Sequence, residues 1–417
     1  MRFTTTCATL LLIVGPLAAQ PVSFERIANT ATAIPGGTGN FTFFTFPVIA
    51  GGRVAFNGRG SGGQDGIYTS AGGVLTAAYD RQTPIPGGSG NFTSFTLPAL
   101  TSAAMAFIGG GTGGQQGVYT DIGGALQAVA NLATPIPGGT GTFTAFGGLN
   151  GPPALDATSV TFGATGSGSQ AGIYRWSSGT VSLVANTSTM QPGGSGPFQN
   201  LSTGSIDGSR VAFYGSAPAS GGGFRTGLYV SDNGTLSIAV DTTMPVPGGT
   251  GNFVNFGTPS LVGQRVVFVG LDGGSGNLGI YSSTAGQISA LYDSSTPVPG
   301  GVGTFTGFGT EVSVDGSHIA FFGVDSANNP GIFVSFGGPL IKVLDGNTQL
   351  DGHGIVGASL GLSLTQLSGN QIAFYAALDD GTFGVYTATV VPEPSALALL
   401  AIGALVRHVR RPLLSAP

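Results

Sequence analysis

Charge is scarce in this chain. Only 7% of the 417 residues are charged, Lys342 is the single lysine, and the formal net charge is −5. A nucleic-acid partner requires a basic stripe to neutralise phosphates, so that class of function is excluded. Cysteine is almost missing as well. The only one, Cys7, falls in an N-terminal segment that reads as a leader, so the rest of the chain has no disulfide, thiol nucleophile or thiolate metal site. Glutamate occurs only as Glu25, Glu311 and Glu393. Paired-carboxylate hydrolysis is left with few candidates, Glu311 and Asp379-Asp380 among them. Two histidines fall within the body, His318 and His353, with no His/Asp/Glu cluster at ligand spacing. The shortage of charge does not signal disorder, which needs low hydrophobicity, because 41% of residues are hydrophobic.

Glycine (76), Phe (27) and Tyr (10) are abundant, and they are periodic. Pro-Gly-Gly begins at Pro35, Pro86, Pro137, Pro192, Pro247 and Pro299, and a worn copy stands at Asp351-Gly352-His353-Gly354. The successive steps are 51, 51, 55, 55, 52 and 52 residues, a period that indicates a repeat architecture. In the second unit, strands are expected over Asn91 to Leu100, Ala103 to Phe107, Gly117 to Thr120 and Ala125 to Val129, separated by glycine turns. Four short strands per unit are the pattern of a propeller blade. One aromatic set recurs at Phe56, Phe107, Phe162, Phe213, Phe268, Phe321 and Phe374. A second recurs at Tyr68, Tyr119, Tyr174, Tyr229, Tyr281, Phe333 and Tyr386. Such positions fill the wedge between neighbouring sheets.

The ends of the array imply closure. Asp or Asn stands six residues before each anchor, at Asn29, Asp80, Asn131, Asn186, Asp241, Asp293 and Asp345, and so marks the end of each fourth strand. The stretch Ser23 to Asn29 is then a fourth strand without its first three, while the unit containing Phe374 and Tyr386 lacks a fourth. Together they complete one blade and remove the open edges of the ring. The fold class expected is all-β: a seven-bladed β-propeller of four-stranded blades over residues 20–390, closed by an N-terminal strand. The order of turn and strands in Asp207-Gly208-Ser209, Arg210 to Phe213, Gly227-Leu228-Tyr229 and Leu236-Ser237-Ile238 resembles the TolB-type propeller repeat. The resemblance implies fold and not chemistry.

Both termini carry addresses. Met1-Arg2, the apolar stretch Cys7 to Leu17 and the small residues before Gln20 read as a signal peptide over residues 1–19, cleaved between Ala19 and Gln20 by the Sec route. At the other end, Pro392-Glu393-Pro394 precedes the apolar run Ala396 to Val406 and then Arg407, Arg410 and Arg411. This order resembles the PEP-CTERM sorting signal, here residues 391–417. The resemblance implies recognition of Pro392, Glu393 and Pro394 by an exosortase, with the three arginines as the cytoplasmic stop. Prolines end the helix on one side and the positive-inside rule holds the other. Ser395 to Val406 would rise only about 18 Å as a helix, a short inner-membrane anchor before processing.

Other motifs read as structure. Gly36 to Phe41 looks like a phosphate loop but feeds a strand and recurs in six units, so it is a turn. Phe41, Phe92 and Phe143 stand where a calcium nonapeptide needs Asp. The Asp/Asn series, followed three residues later by Thr32, Thr83, Thr134, Thr189, Thr296 and Thr348, sets turns. Asp272 to Asn277 and Asp325 to Asn329 offer oxygen ligands without EF-hand spacing. No cofactor, metal site or catalytic residue is expected. The expected function is that of an exported, exosortase-sorted surface or matrix protein, non-enzymatic, with exopolysaccharide as its ligand class. The alternatives are a secreted polysaccharide hydrolase or lyase with its site on one propeller face, and a purely structural spacer. Loops of Gly, Ser, Asn and Thr favour binding, and long loops on a rigid scaffold are where it resides. The loops between second and third strands, and the Pro-Gly-Gly links, should share one face, with Ser216 to Gly227 and His353 on it.

Overall fold

The computed structural model describes residues 22–147, 151–356 and 365–391. Among the described residues seven antiparallel sheets of four or five strands follow one another along the chain, with a two-stranded ribbon of Gln349–Leu350 and His353–Gly354 before the last. Together they form the expected all-β, seven-bladed propeller with four-stranded blades. In two blades four unbroken strands pair in sequence order, as in Asn200–Asp207, Arg210–Pro218, Phe224–Asp232 and Thr235–Asp241, and in four more the inner strand is in two pieces that both pair with the second strand. The seventh blade is composite: Leu367–Ser368, Gln371–Ala377 and Phe383–Val390 are joined by the N-terminal strand Val22–Asn29. That strand pairs antiparallel with the last one, from Val22 opposite Val390 to Asn29 opposite Gly384. Closure of the ring is therefore achieved as the sequence indicates.

The innermost strand departs from the single run expected. In the second blade it splits into Phe92–Phe95 and Ala99–Leu100, because Pro98 cannot donate to the ladder and Thr96 to Pro98 loop out between the two pieces. The second strand extends beyond the expected end, as Met105–Gly111, so glycines that read as a loop lie in a strand. They do so for packing. A Cβ on Gly109 would sit 2.5 Å from Phe92, which fills the space above it.

Aromatic rings account for the strength of the repeat. The two recurrent aromatic sets meet as seven pairs within their own blades, stacked or tilted, from Phe107–Tyr119 at 5.7 Å to Phe56–Tyr68 and Phe374–Tyr386 at 6.0 Å. In six blades a third ring from the inner strand stands edge-on to the Tyr, as Phe92 does to Tyr119 at 4.8 Å and Phe305 to Phe333 at 4.9 Å. Offset and edge-to-face pairs of this kind add stability beyond burial alone. The Phe positions that disqualify the calcium motif are thus core positions.

Candidate functional site

The chain's direction defines two faces. Each outer strand ends at a Pro-Gly-Gly link, and the next inner strand starts there, so the links and the second-to-third loops share a face. First-to-second turns and third-to-fourth hairpins lie on the other. The link opens on the Asp/Asn–Thr pair: Asn29 Oδ1 accepts the Ala31 N–H at 3.0 Å, and Thr32 Oγ1 accepts the Asn29 N–H at 3.0 Å. The same contacts recur at Asp80, Asn131, Asn186, Asp293 and Asp345. This regular polar position is therefore a turn lock. The Pro-Gly-Gly turn follows, with Ile34 N–H donating to Gly39 O at 3.0 Å and the Ile34 side chain buried beneath it.

A device invisible in the repeat pins each link. In every blade a polar side chain in or beside the second-to-third connection reaches the link entering that blade. Gln64 Nε2 donates to Thr38 O at 3.1 Å, and Gln115 exchanges two bonds with the Ser89 backbone at 2.8 and 2.9 Å. Gln170 likewise bonds the Thr140 backbone. Arg225, paired with the buried Asp241, donates to Gly193 O. Asp272 accepts from Thr250 N–H at 3.1 Å, Asp325 from Val302 N–H at 3.0 Å, and Asp379 from Gly354 N–H at 3.0 Å. Because Gln does the job in three blades, Arg in one and Asp in three, no single residue type marks it around the whole ring.

These contacts settle the roles of the acidic loops. The Asp272 carboxylate also accepts the Gly274 N–H and the Ser275 hydroxyl, and donation from Gly274 first of all holds its pKa down to about 2. Burial resists ionisation at Asp325, but amides of Asn329, Val302 and Ala327 outweigh it and bring the group to about 2. Both carboxylates are spent on backbone. His353 lies between Asp379, 3.0 Å from Nδ1, and Asp380, 3.5 Å from Nε2, in the link of the seventh blade. There Asp351 and Gly352 adopt left-handed backbone in place of Pro-Gly-Gly. His318 is on the hairpin face, its Nδ1 3.0 Å from Gly369 O.

On the loop face the first blade differs from the rest. Phe43 is 41% exposed at the start of its inner strand, and the Arg59 guanidinium lies 5.0 Å from its ring centre. Within the ring of blades is a central cavity of about 450 Å³. Register defines one of its rims. Val48, Ala99, Ala154, Ser205, Ser260 and Ser313 pair equivalently with the second strands of their blades. Two residues before each stand Phe46, Leu97, Pro152, Thr203, Thr258 and Glu311, and all six line the cavity. Among the described residues Glu311 is the only charged group lining it, and burial alone raises its pKa to about 7. It is not joined to Asp379-Asp380, which belong to the loop face, so the two carboxylate candidates do not form one site.

The signal-cleavage residues Ala19 and Gln20 lie outside the described residues. So do Pro392, Glu393 and Pro394, the apolar segment that follows, and Arg407, Arg410 and Arg411. Among the described residues no helix is long and apolar enough to cross a membrane.

The fold and closure define a seven-bladed propeller with a clamped loop face and a narrow core cavity. The chain belongs to a family of unknown function (DUF7453), whose model matches residues 23–350. No curated protein matches the sequence. Among solved structures it is similar to a puromycin hydrolase, with 10% identity and a TM-score of 0.42, over 86% of this chain and 57% of that one. It is also similar to a Pyrococcus horikoshii acylaminoacyl peptidase, with 10% identity and a TM-score of 0.35, over 74% and 53%. The chain thus spans little more than half the length of these two hydrolases.

Proposed function

We propose that this protein is an exported, surface-displayed propeller that binds extracellular glycan, exopolysaccharide foremost, on its loop face and performs no catalysis. The observation that carries the reading is the pairing of Val22 with Val390. The described body begins and ends at one corner, on the hairpin side, because the third strand of the last blade runs away from the loop face. A leader ending at Ala19 and a sorting tag starting at Pro392 would both attach there. The loop face then points away from the membrane that the tag engages. Exosortase recognition of Pro392-Glu393-Pro394 would decide whether the body is retained or released.

The chemistry of that face supports binding over hydrolysis. Glycosidase action needs two carboxyl groups about 5–10 Å apart with free lone pairs. Asp272 and Asp325 are instead held by backbone amides and, at Asp272, the Ser275 hydroxyl, while Asp379 is engaged by the Gly354 N–H and His353 and Asp380 by Thr382 and His353. Phe43, with Arg59 across its face, offers an apolar platform of the kind on which a sugar ring stacks. Neutral side chains such as Thr38, Ser89 and Thr140 surround the links.

The address is tested in a producing cell by replacing Pro392, Glu393 and Pro394 with alanine. Uncleaved protein accumulating in the inner membrane is expected; the same released product as wild type would remove the sorting assignment. The ligand is tested by a glycan array with wild type and Phe43→Ala. Binding that is weakly salt-dependent and falls at least tenfold in the variant is expected, since few charges are available for screening. Glycan cleavage by wild type would overturn the non-enzymatic reading.

A further inference from the structure

The central cavity holds a feature that neither closure nor glycan binding uses. At the equivalent rim position five blades carry Phe46, Leu97, Pro152, Thr203 and Thr258, while the sixth carries Glu311. The strand Gly307–Asp315 slips register between Phe308 and Val312, and this bulge lies where Glu311 meets the cavity. Glu311 makes no hydrogen bond or ion pair among the described residues, and no Lys, Arg or His lines the cavity to neutralise it. A carboxylate left without a partner in partly dry surroundings is costly, and a cation that pairs with it recovers that cost.

We propose that the central cavity binds a small organic ammonium ion, its charged head on the Glu311 carboxylate and its apolar body against Phe46 and the neighbouring prolines. Phe46 is 45% exposed, an unusual state for a large apolar ring. Its face can attract a cation, and its area can cover an alkyl or aryl group. Thr203 stands on the same rim but is only 3% exposed, so it contributes wall and not an accessible acceptor. At about 450 Å³ the space falls within the range of small-molecule sites. A divalent metal fits poorly, because calcium takes six to eight oxygen ligands and magnesium about six, and the described lining supplies one carboxylate. An anion would meet that carboxylate, and a sugar would find mostly carbon. This inference does not depend on export or on the glycan reading.

The test uses benzylammonium chloride as the probe, with benzyl alcohol as its neutral counterpart, by calorimetric titration of the full-length chain. Benzylammonium should bind once per chain at pH 8, at least tenfold more tightly than the alcohol, and weaken as pH falls from 8 to 5. Glu311→Gln should lose that tenfold preference while keeping the weak affinity for the alcohol. Phe46→Ala should lower affinity for both probes, which separates the apolar contact from the charge. Equal binding of the two probes, an unchanged Glu311→Gln variant, or no benzylammonium binding to wild type at pH 8 would each overturn the proposal.

Discussion

Replacing Glu311 by Gln should stabilise the protein at alkaline pH and leave it unchanged in acid. Gln has almost the same shape, so the cavity wall is preserved and only the ionisable group is removed. Burial raises the Glu311 pKa from an ordinary 4.5 to about 7. The folded protein therefore keeps this proton to a higher pH than the unfolded chain does. Stability falls wherever the native state binds more protons and pH rises, so the loss develops between about pH 4.5 and pH 7. At about 1.4 kcal/mol per pKa unit the full displacement corresponds to about 3 kcal/mol, and water entering the cavity brings this toward about 2 kcal/mol. Urea unfolding at pH 4 and pH 8 measures it, since the variant shares every other titrating group with wild type. The two should unfold together at pH 4, and Glu311→Gln should lead by about 2–3 kcal/mol at pH 8. A constant offset at both values, or a wild type more stable at pH 8, would refute the argument.

Two further outcomes test the ring and its clamps. Deleting Gln20 to Thr32 exposes the edge of the strand Phe383–Val390 and should cause aggregation or a large loss of melting temperature; a monomer by light scattering with unchanged melting would sink the closure. Asp272 and Asp325 both titrate near 2, below their ordinary 3.8, so they contribute stability above about pH 4 that disappears as pH falls toward 2. Asp325→Ala leaves the Val302, Ala327 and Asn329 amides short of an acceptor and should cost about 1–3 kcal/mol in urea unfolding at pH 6, a difference that narrows at pH 2.5.

The architecture was legible because its determinants repeat. Six Phe–Tyr pairs and one Phe–Phe pair, the Asp/Asn–Thr locks and the fragmentary end units are each legible from the repeat, and each has the packing or turn role that recurrence implies. The link clamps were not legible, because Gln115, Arg225 and Asp325 grip backbone atoms and any side chain of suitable reach can do so. Reading glycines as loop also shortened the expected second strands. Gly109 looks like a turn residue until the ring of Phe92 is seen above it. Glu311 was visible as a rare carboxylate, but its direction was not. Alternation along a strand assigns faces only while register is kept, and the slip between Phe308 and Val312 breaks the count just before it.

The composite blade also determines how the body resists being pulled. A load applied at Val391 enters the strand Phe383–Val390, which is not an edge. It is bonded along one side to Gln371–Ala377 and along the other to Val22–Asn29. Tension toward the hairpin side runs along the strand axis and shears both ladders at once, instead of unzipping one bond after another. Hydrogen bonds that are individually modest then share the load. The segment that seals the ring in sequence thus doubles as a second rail for the strand that takes the strain, and a tether at this corner pulls on the most doubly held part of its blade.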